Sequence, residues 1–275
     1  MASEIIPLLY SRHYLNAYNQ VPEGLSALTH IARLRWQDNQ VGRYFVKIYP
    51  RDYAPLGLVN EITGYLLALA CGIPQPPRAA VVHVPSAVFG QLYPQFEVPD
   101  DMMLLGWATE EYGGKTLKTY LGRNMQSYRR ILHQLAKWSH LPALLAFDDW
   151  LANQDRNTGN VVVRSDKDFG VIDHGGCPVK HDWTAEDLDP NGRYESKLLD
   201  EVFSAGNPLQ LASGMVDASQ QHSEAYTKVV TELQYWWRIF REMTEHNRQA
   251  LENFLTKRAA NGPDRITATT GLLRL

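Results

Sequence analysis

The chain holds only two cysteines, Cys71 and Cys177, in 275 residues. That is too few for a disulfide scaffold or a thiolate metal cage. It also lacks a long apolar run: the longest mostly apolar stretch, residues 62–73, contains Thr63, Gly64 and Tyr65. A bilayer-spanning helix needs about 20 apolar residues, so no membrane span is expected. The N-terminus carries Glu4 and then Pro7 where a secretory leader has Lys or Arg before an apolar core. With cysteine so scarce, the cytoplasm is the expected compartment. Neither charge sign dominates: 27 Lys and Arg against 30 Asp and Glu leave a net charge of −3, which argues against direct nucleic-acid binding. The sequence has no HExxH zinc spacing and no GxSxG nucleophile elbow. What it does have is 44% hydrophobic content, enough to bury the core of one large domain or two modest ones.

The periodicity changes near residue 106. Before it, strand-like runs cover residues 29–36, 43–49, 78–84 and 102–109, with one helix between the second and third. After it, helical patterns cover residues 127–140, a second segment opened by Pro142 and ending near Leu151, and one or two helices over residues 222–257. A single hairpin lies between them. The expected fold class is therefore α+β and two-lobed, with a small β-rich lobe over residues 1–109 and a larger, mainly helical lobe over residues 110–275. A cleft is expected at the join, Glu110-Glu111-Tyr112-Gly113-Gly114, where Glu110 and Tyr112 are candidates for ligand contact.

The chemistry concentrates in Asn153-Gln154-Asp155-Arg156-Asn157-Thr158-Gly159-Asn160, then Val161-Val162-Val163-Arg164, then Phe169-Gly170-Val171-Ile172-Asp173-His174-Gly175. Two β-rich runs flank Ser165-Asp166-Lys167-Asp168, which reads as a four-residue hairpin turn. Pairing across that turn sets Val161 opposite Ile172 and Asn160 opposite Asp173, with Cα atoms about 4.5 to 5.5 Å apart. An amide oxygen beside a carboxylate suits a hard cation such as Mg²⁺, making Asn160 and Asp173 the expected metal ligands. Asp155, five residues before Asn160, is the expected group that orients the proton of an attacking hydroxyl. The string Asp168-Phe169-Gly170 is a decoy, because Asp168 lies at the turn, about 16 Å from Asp173 at roughly 3.3 Å per residue. Arg156 either contacts phosphate or braces the loop, and Asp148 and Asp149 cap or pair within the second lobe.

The first lobe carries a separate signal. Lys47 lies in Arg43-Tyr44-Phe45-Val46-Lys47-Ile48-Tyr49, a run apolar on both faces, and is expected to be embedded. Glu61 sits inside the helical stripe of Leu58, Ile62, Tyr65, Leu66 and Leu69. A buried ammonium and a buried carboxylate each cost several kcal/mol to desolvate unless paired, so a Lys47–Glu61 bridge is expected. A lysine held in this way can reach nucleotide phosphates. The turn Pro22-Glu23-Gly24-Leu25-Ser26 supplies Gly24 and Ser26 as candidates for the phosphate cradle.

The run from Phe147 to Asn160, closing at Val171-Ile172-Asp173-His174-Gly175, resembles the HipA-like kinases, and its Asn-x-Asp-Arg element is similar to type II phosphatidylinositol 4-kinases. The close match covers about thirty residues. The resemblance implies an atypical protein-kinase-like fold, use of ATP with Mg²⁺, and phosphorylation of a protein Ser or Thr, with an antitoxin or regulatory protein as a partner. It implies Asp155 as the catalytic base, Asn160 and Asp173 as metal ligands, and Lys47 as the phosphate-contacting lysine. Two alternatives stay open: a lipid or small-molecule kinase, from the Asn-x-Asp-Arg element, and a catalytically weak nucleotide-binding pseudokinase, from the single glycine of the turn at 22–26 and the lack of an Ala-Pro-Glu string after Asp173.

Overall fold

A computed structural model describes residues 5–21, 27–49, 54–96 and 104–271. The fold is mixed α+β and contains a six-stranded mixed sheet. The chain divides into two compact units, Met1–Leu58 with Pro76–Tyr112, and Val59–Gln75 with Gly113–Leu275.

The first unit is built on the strands β1 (Leu8–Leu9), β2 (Tyr14–Gln20), β3 (Leu28–Arg35), β4 (Val41–Ile48), β5 (Ala79–Val84) and β6 (Leu104–Glu110), in the order β1-β5-β6-β4-β3-β2. The β1–β5 pair is parallel and the other neighbours are antiparallel. Between β4 and β5 the chain runs through the helix α1 (Gly57–Ala70), which from Val59 onwards belongs to the second unit, and α2 (Ser86–Leu92) follows β5. Side chains alternate across a strand, so β3 buries His30, Ala32 and Leu34 while β4 buries Tyr44, Val46 and Ile48. All of these but His30 pack with Val82, Val84, Phe89 and Tyr93 into one apolar cluster. The same alternation puts Lys47 on the other face of β4, where it is half-buried instead of embedded. Gly106 of β6 passes so close to β4 that a Cβ there would sit 3.0 Å from Val46 Cγ1 and 3.2 Å from the Lys47 carbonyl oxygen.

His30 is fully buried between two tyrosines. Its Nε2 is hydrogen-bonded to the Tyr14 hydroxyl and its Nδ1 lies 3.2 Å from the Tyr93 hydroxyl. Burial pushes its pKa down to about 4. In the second unit His222 is stacked on Trp150, with ring centroids 4.5 Å apart, and burial, aided by Arg265, pushes its pKa down to about 3. Both rings are neutral in the folded and unfolded chain above the ordinary value of 6.5. Below 6.5 only the unfolded chain takes up the proton, so stability falls as pH drops towards 4. For His30 the full loss is about 3 kcal/mol at 1.36 kcal/mol per pKa unit. Urea unfolding at pH 7 and pH 4.5 checks this: a His30→Gln variant, which keeps partners for the tyrosine hydroxyls, should lose less stability on acidification than the parent chain. Equal losses in the two proteins would rule His30 out as a source of acid lability.

The second unit places a three-stranded antiparallel sheet, β7 (Lys115–Thr116), β8 (Val161–Ser165) and β9 (Asp168–Val171), among helices. The helices are α3 (Leu117–Arg123), α4 (Met125–Leu135), α5 (Leu141–Trp150), α6 (Lys197–Phe203), α7 (Pro208–Ser219), α8 (His222–Ile239), α9 (Glu245–Ala260) and α10 (Gly262–Thr270). Helix α5 is apolar nearly all round, as a central helix must be, and packs against α7, α9 and α10. Its C-terminal carbonyls are claimed by Arg258, which is fully buried and donates to the Asp149 and Trp150 carbonyl oxygens at 2.6 and 3.0 Å. Arg265 holds the Asp149 carboxylate at 2.7 Å. The end of α5, from which the chemically rich loop departs, is thereby tied to α9 and α10. Among the described residues no helix is long and apolar enough to cross a membrane.

Candidate functional site

The site lies in the second unit, on the loop between α5 and β8 and on the segment after β9. Helix α5 ends in a Schellman turn: Ala152 takes a left-handed φ of 51°, its N–H donates to the Asp149 carbonyl at 3.1 Å, and the Asn153 N–H donates to the Asp148 carbonyl at 2.8 Å. Asn153 then joins helix to loop. Its amide nitrogen donates to Asp148 Oδ1 at 2.9 Å, and its oxygen accepts the Asp155 N–H at 3.1 Å. Downstream, Asn157 donates to the Asp155 carbonyl at 2.9 Å and accepts the Gly159 N–H at 2.7 Å. Asn160 Nδ2 donates to the Asp155 carbonyl at 3.0 Å. The Asx residues that make this segment look like a polar surface loop are its internal hydrogen-bond scaffold.

The hairpin register differs by one residue from that expected. Ser165 pairs with Asp168 across a two-residue turn, Val163 pairs with Phe169 and Val161 with Val171, so Arg164 is an extra residue in a bulge. Asn160 therefore faces Ile172, whose N–H donates to the Asn160 carbonyl at 3.1 Å, and not Asp173. The bulge is accompanied by an ion pair from Arg164 to Asp168 at 3.3 Å, which leaves Asp168 at the turn end of the hairpin. Asp173 lies one step past the paired register, in a left-handed conformation with φ 65°. Its Oδ1 accepts the Gly175 N–H at 3.2 Å, the local bond that makes Asp tolerable there.

Arg156 draws these segments together. Fully buried, it pairs through Nε with both oxygens of the fully buried Asp148 at 3.1 and 3.2 Å. It also donates to the Ile172 and Asp173 carbonyls at 2.9 and 3.3 Å, and to His174 Nδ1 at 3.2 Å. Arg156 is thus a brace, not a phosphate ligand. Because an arginine can only donate, His174 Nδ1 must accept, and its Nε2 carries the hydrogen directed at Gln75 Oε1, 3.3 Å away. His174 is structural. Burial pushes the Asp148 carboxyl up, and the Arg156 charge opposes that push. Both act on a pair that is cut off from water, where leaving one member alone is most costly.

Glu61 of α1 is 1% exposed, and its Oε2 accepts the His174 N–H at 2.9 Å, so the helix holds the chain next to Asp173 directly. Gly64, a turn further along α1, makes room for this: a Cβ there would be 2.3 Å from the His174 Cβ. Lys47 belongs to the first unit, where it pairs in register with Thr29 and Trp107. Glu110 also belongs to it, opposite Tyr44 at the end of β6, with its N–H donated to the Arg78 carbonyl at 2.9 Å, and half-buried Tyr112 follows. Gly24 and Ser26 lie outside the described residues. Asp155, Asn160, Asp173 and Glu61 are brought into one hydrogen-bonded network.

The sequence reading missed Lys197 and Gly176. The Lys197 ammonium lies 3.4 Å from Asp155 Oδ1, although 42 residues separate the two in sequence. Gly176 approaches the same carboxylate, and a Cβ on it would be 3.0 Å from the Asp155 Cβ. Nothing in the local pattern marks Lys197 except its place just after Ser196, the N-cap of α6. Comparison with models of known protein families and with curated proteins gave no match.

Proposed function

We propose that this protein is an ATP- and Mg²⁺-dependent kinase of two-lobed, protein-kinase-like architecture that transfers the γ-phosphate of ATP to a protein Ser or Thr hydroxyl. The observation that supports it most is the hydrogen-bonded unit of loop and hairpin. Asn160 is bonded through Nδ2 to the Asp155 carbonyl, and Asp173 is tied through its own carbonyl to Arg156, the residue after Asp155. Because the Asn160 nitrogen is committed, its Oδ1 is the atom left to face a cation, and with the Asp173 carboxylate it would offer the hard oxygen ligands that Mg²⁺ takes alongside water and phosphate. Asn160 and Asp173 would hold that ion, which supplies neutralisation of phosphate charge when bound.

The remaining roles fall to side chains of the chain itself. Asp155 accepts the hydrogen of the acceptor hydroxyl and aligns its oxygen with the phosphorus. That oxygen forms its bond to phosphorus as the bond to ADP breaks, and the hydroxyl proton passes to Asp155. Lys47 is the residue this reading assigns to the nucleotide phosphates. Gly24, Ser26, Glu110 and Tyr112 complete the nucleotide contacts in this reading.

Incubation with γ-labelled ATP and Mg²⁺, with and without cell lysate, followed by mass-spectrometric mapping, should place label on Ser or Thr of protein. Label confined to lipid or metabolite would redirect the reading to a small-molecule kinase. Nucleotide binding with no transfer to any pool would leave a binding module.

A further inference from the structure

We infer that Lys197 is a further catalytic residue, whose ammonium contacts the phosphoryl group in flight beside Asp155. The inference rests on the kinase reading above and deepens it. The two oxygens of the Asp155 carboxylate have unequal surroundings. Oδ1 faces Lys197 Nζ and Asn157 Nδ2, each at 3.4 Å. Oδ2 receives no donor among the described residues, and beside it runs Gly176, where a Cβ would come within 3.4 Å of Oδ2. The open oxygen is therefore the one that can receive an acceptor hydroxyl.

A hydroxyl oxygen bonded to Oδ2 at about 2.7 Å attacks a phosphorus about 3 to 3.5 Å from it. The non-bridging oxygens on that phosphorus then fall within the sweep of the four-carbon Lys197 side chain. The root of that chain is fixed: Lys197 opens α6, Ser196 caps it by accepting the Leu199 N–H at 3.3 Å, and Leu198 and Leu199 are buried. Its tip is in solvent, and 58% of the side chain is exposed. An exposed ion pair of this kind contributes little to folding, so its placement on Asp155 is not accounted for by stability. In the transfer step the acceptor oxygen–phosphorus bond forms while the phosphorus–ADP bond breaks. The hydroxyl proton goes to Asp155 Oδ2, ADP leaves with the bonding pair, and the ammonium faces the equatorial phosphoryl oxygens, where charge resides.

The test compares the full chain with Lys197→Met and Lys197→Arg. Calorimetric affinities for Mg·ADP and Mg·ATP are measured for each, together with turnover at saturating ATP. Lys197→Met should keep the ADP affinity and the thermal midpoint, lose about tenfold of the preference for ATP over ADP, and turn over roughly 10- to 100-fold more slowly. Lys197→Arg should recover part of both. An unchanged affinity ratio with unchanged turnover would overturn the assignment, and so would faster turnover in Lys197→Met, which would make the lysine a cover over Asp155. A parent chain that binds neither nucleotide removes the kinase reading and this inference with it; a parent that binds and transfers while Lys197→Met behaves identically removes this inference alone.

Discussion

Asp155→Ala should abolish phosphoryl transfer, by a factor of 10² to 10⁴ or more, and leave Mg·ATP affinity within about twofold of the parent. The separation follows from which atoms of Asp155 do what. Asn157 and Asn160 are anchored on its carbonyl oxygen, at 2.9 and 3.0 Å. An alanine keeps that carbonyl, so the loop and the orientation of the Asn160 amide survive while the carboxylate disappears. Asp173 should behave differently. Its substitution is best made with asparagine, because alanine at a φ of 65° would add backbone strain unrelated to chemistry. Asp173→Asn should weaken nucleotide binding in the presence of Mg²⁺ and reduce the gap between affinities measured with and without the ion, in addition to slowing transfer. Calorimetry with and without Mg²⁺, beside a transfer assay, distinguishes the two variants. Equal loss of nucleotide affinity in both would contradict the division of labour between residues 155 and 173.

The parts of this site that were legible in sequence are those in which one residue type at one spacing has a single economical use. The Asn-rich run from 153 to 160 and the β-rich flanks of Ser165 to Asp168 identify a polar loop and a hairpin from sequence, whereas the hydrogen bonds that scaffold the loop appear only in the fold. Strands β3 to β6 announce themselves through alternation or continuous apolar character, whereas β2, with one buried residue in seven, and the two-residue β1 do not. The register error at the hairpin has a definite cause. Counting outwards from a turn assumes an unbroken ladder, and a single bulged residue, Arg164, shifts every pair beyond it by one. The other missing pieces are contacts closed by the fold over long separations: Glu61 to His174 and Lys197 to Asp155. No local pattern encodes such pairs, because Glu61 and Lys197, each taken alone, are ordinary helix residues.

The pair that most tightly couples this site to stability is Asp148 with Arg156, and Arg156→Met should cost about 3 to 5 kcal/mol, the range for removing one member of a buried ion pair. Domains are stable by only about 5 to 15 kcal/mol, so the variant should approach the limit of folding. The loss has two sources. The first is the Asp148 carboxylate, fully buried and now without a cation. The second is the pair of carbonyls at Ile172 and Asp173, together with His174 Nδ1, which lose their donor. Without the guanidinium only the Asn153 hydrogen bond opposes the effect of burial, and the Asp148 carboxyl is pushed further towards its protonated form in the folded state. A carboxyl raised in this way stabilises the fold below its unfolded value of 3.8 and loses that contribution as pH rises. The stability deficit of Arg156→Met should therefore be smallest near pH 4 and should grow towards pH 7, a trend that urea midpoints can follow. The double variant Asp148→Asn with Arg156→Met should be more stable at pH 7 than Arg156→Met alone, because it removes the orphaned charge. It should still bind Mg·ATP poorly, since the Asp173 carbonyl has lost its brace in both. Full recovery of nucleotide affinity in the double variant would mean that Arg156 serves stability only and does not position Asp173.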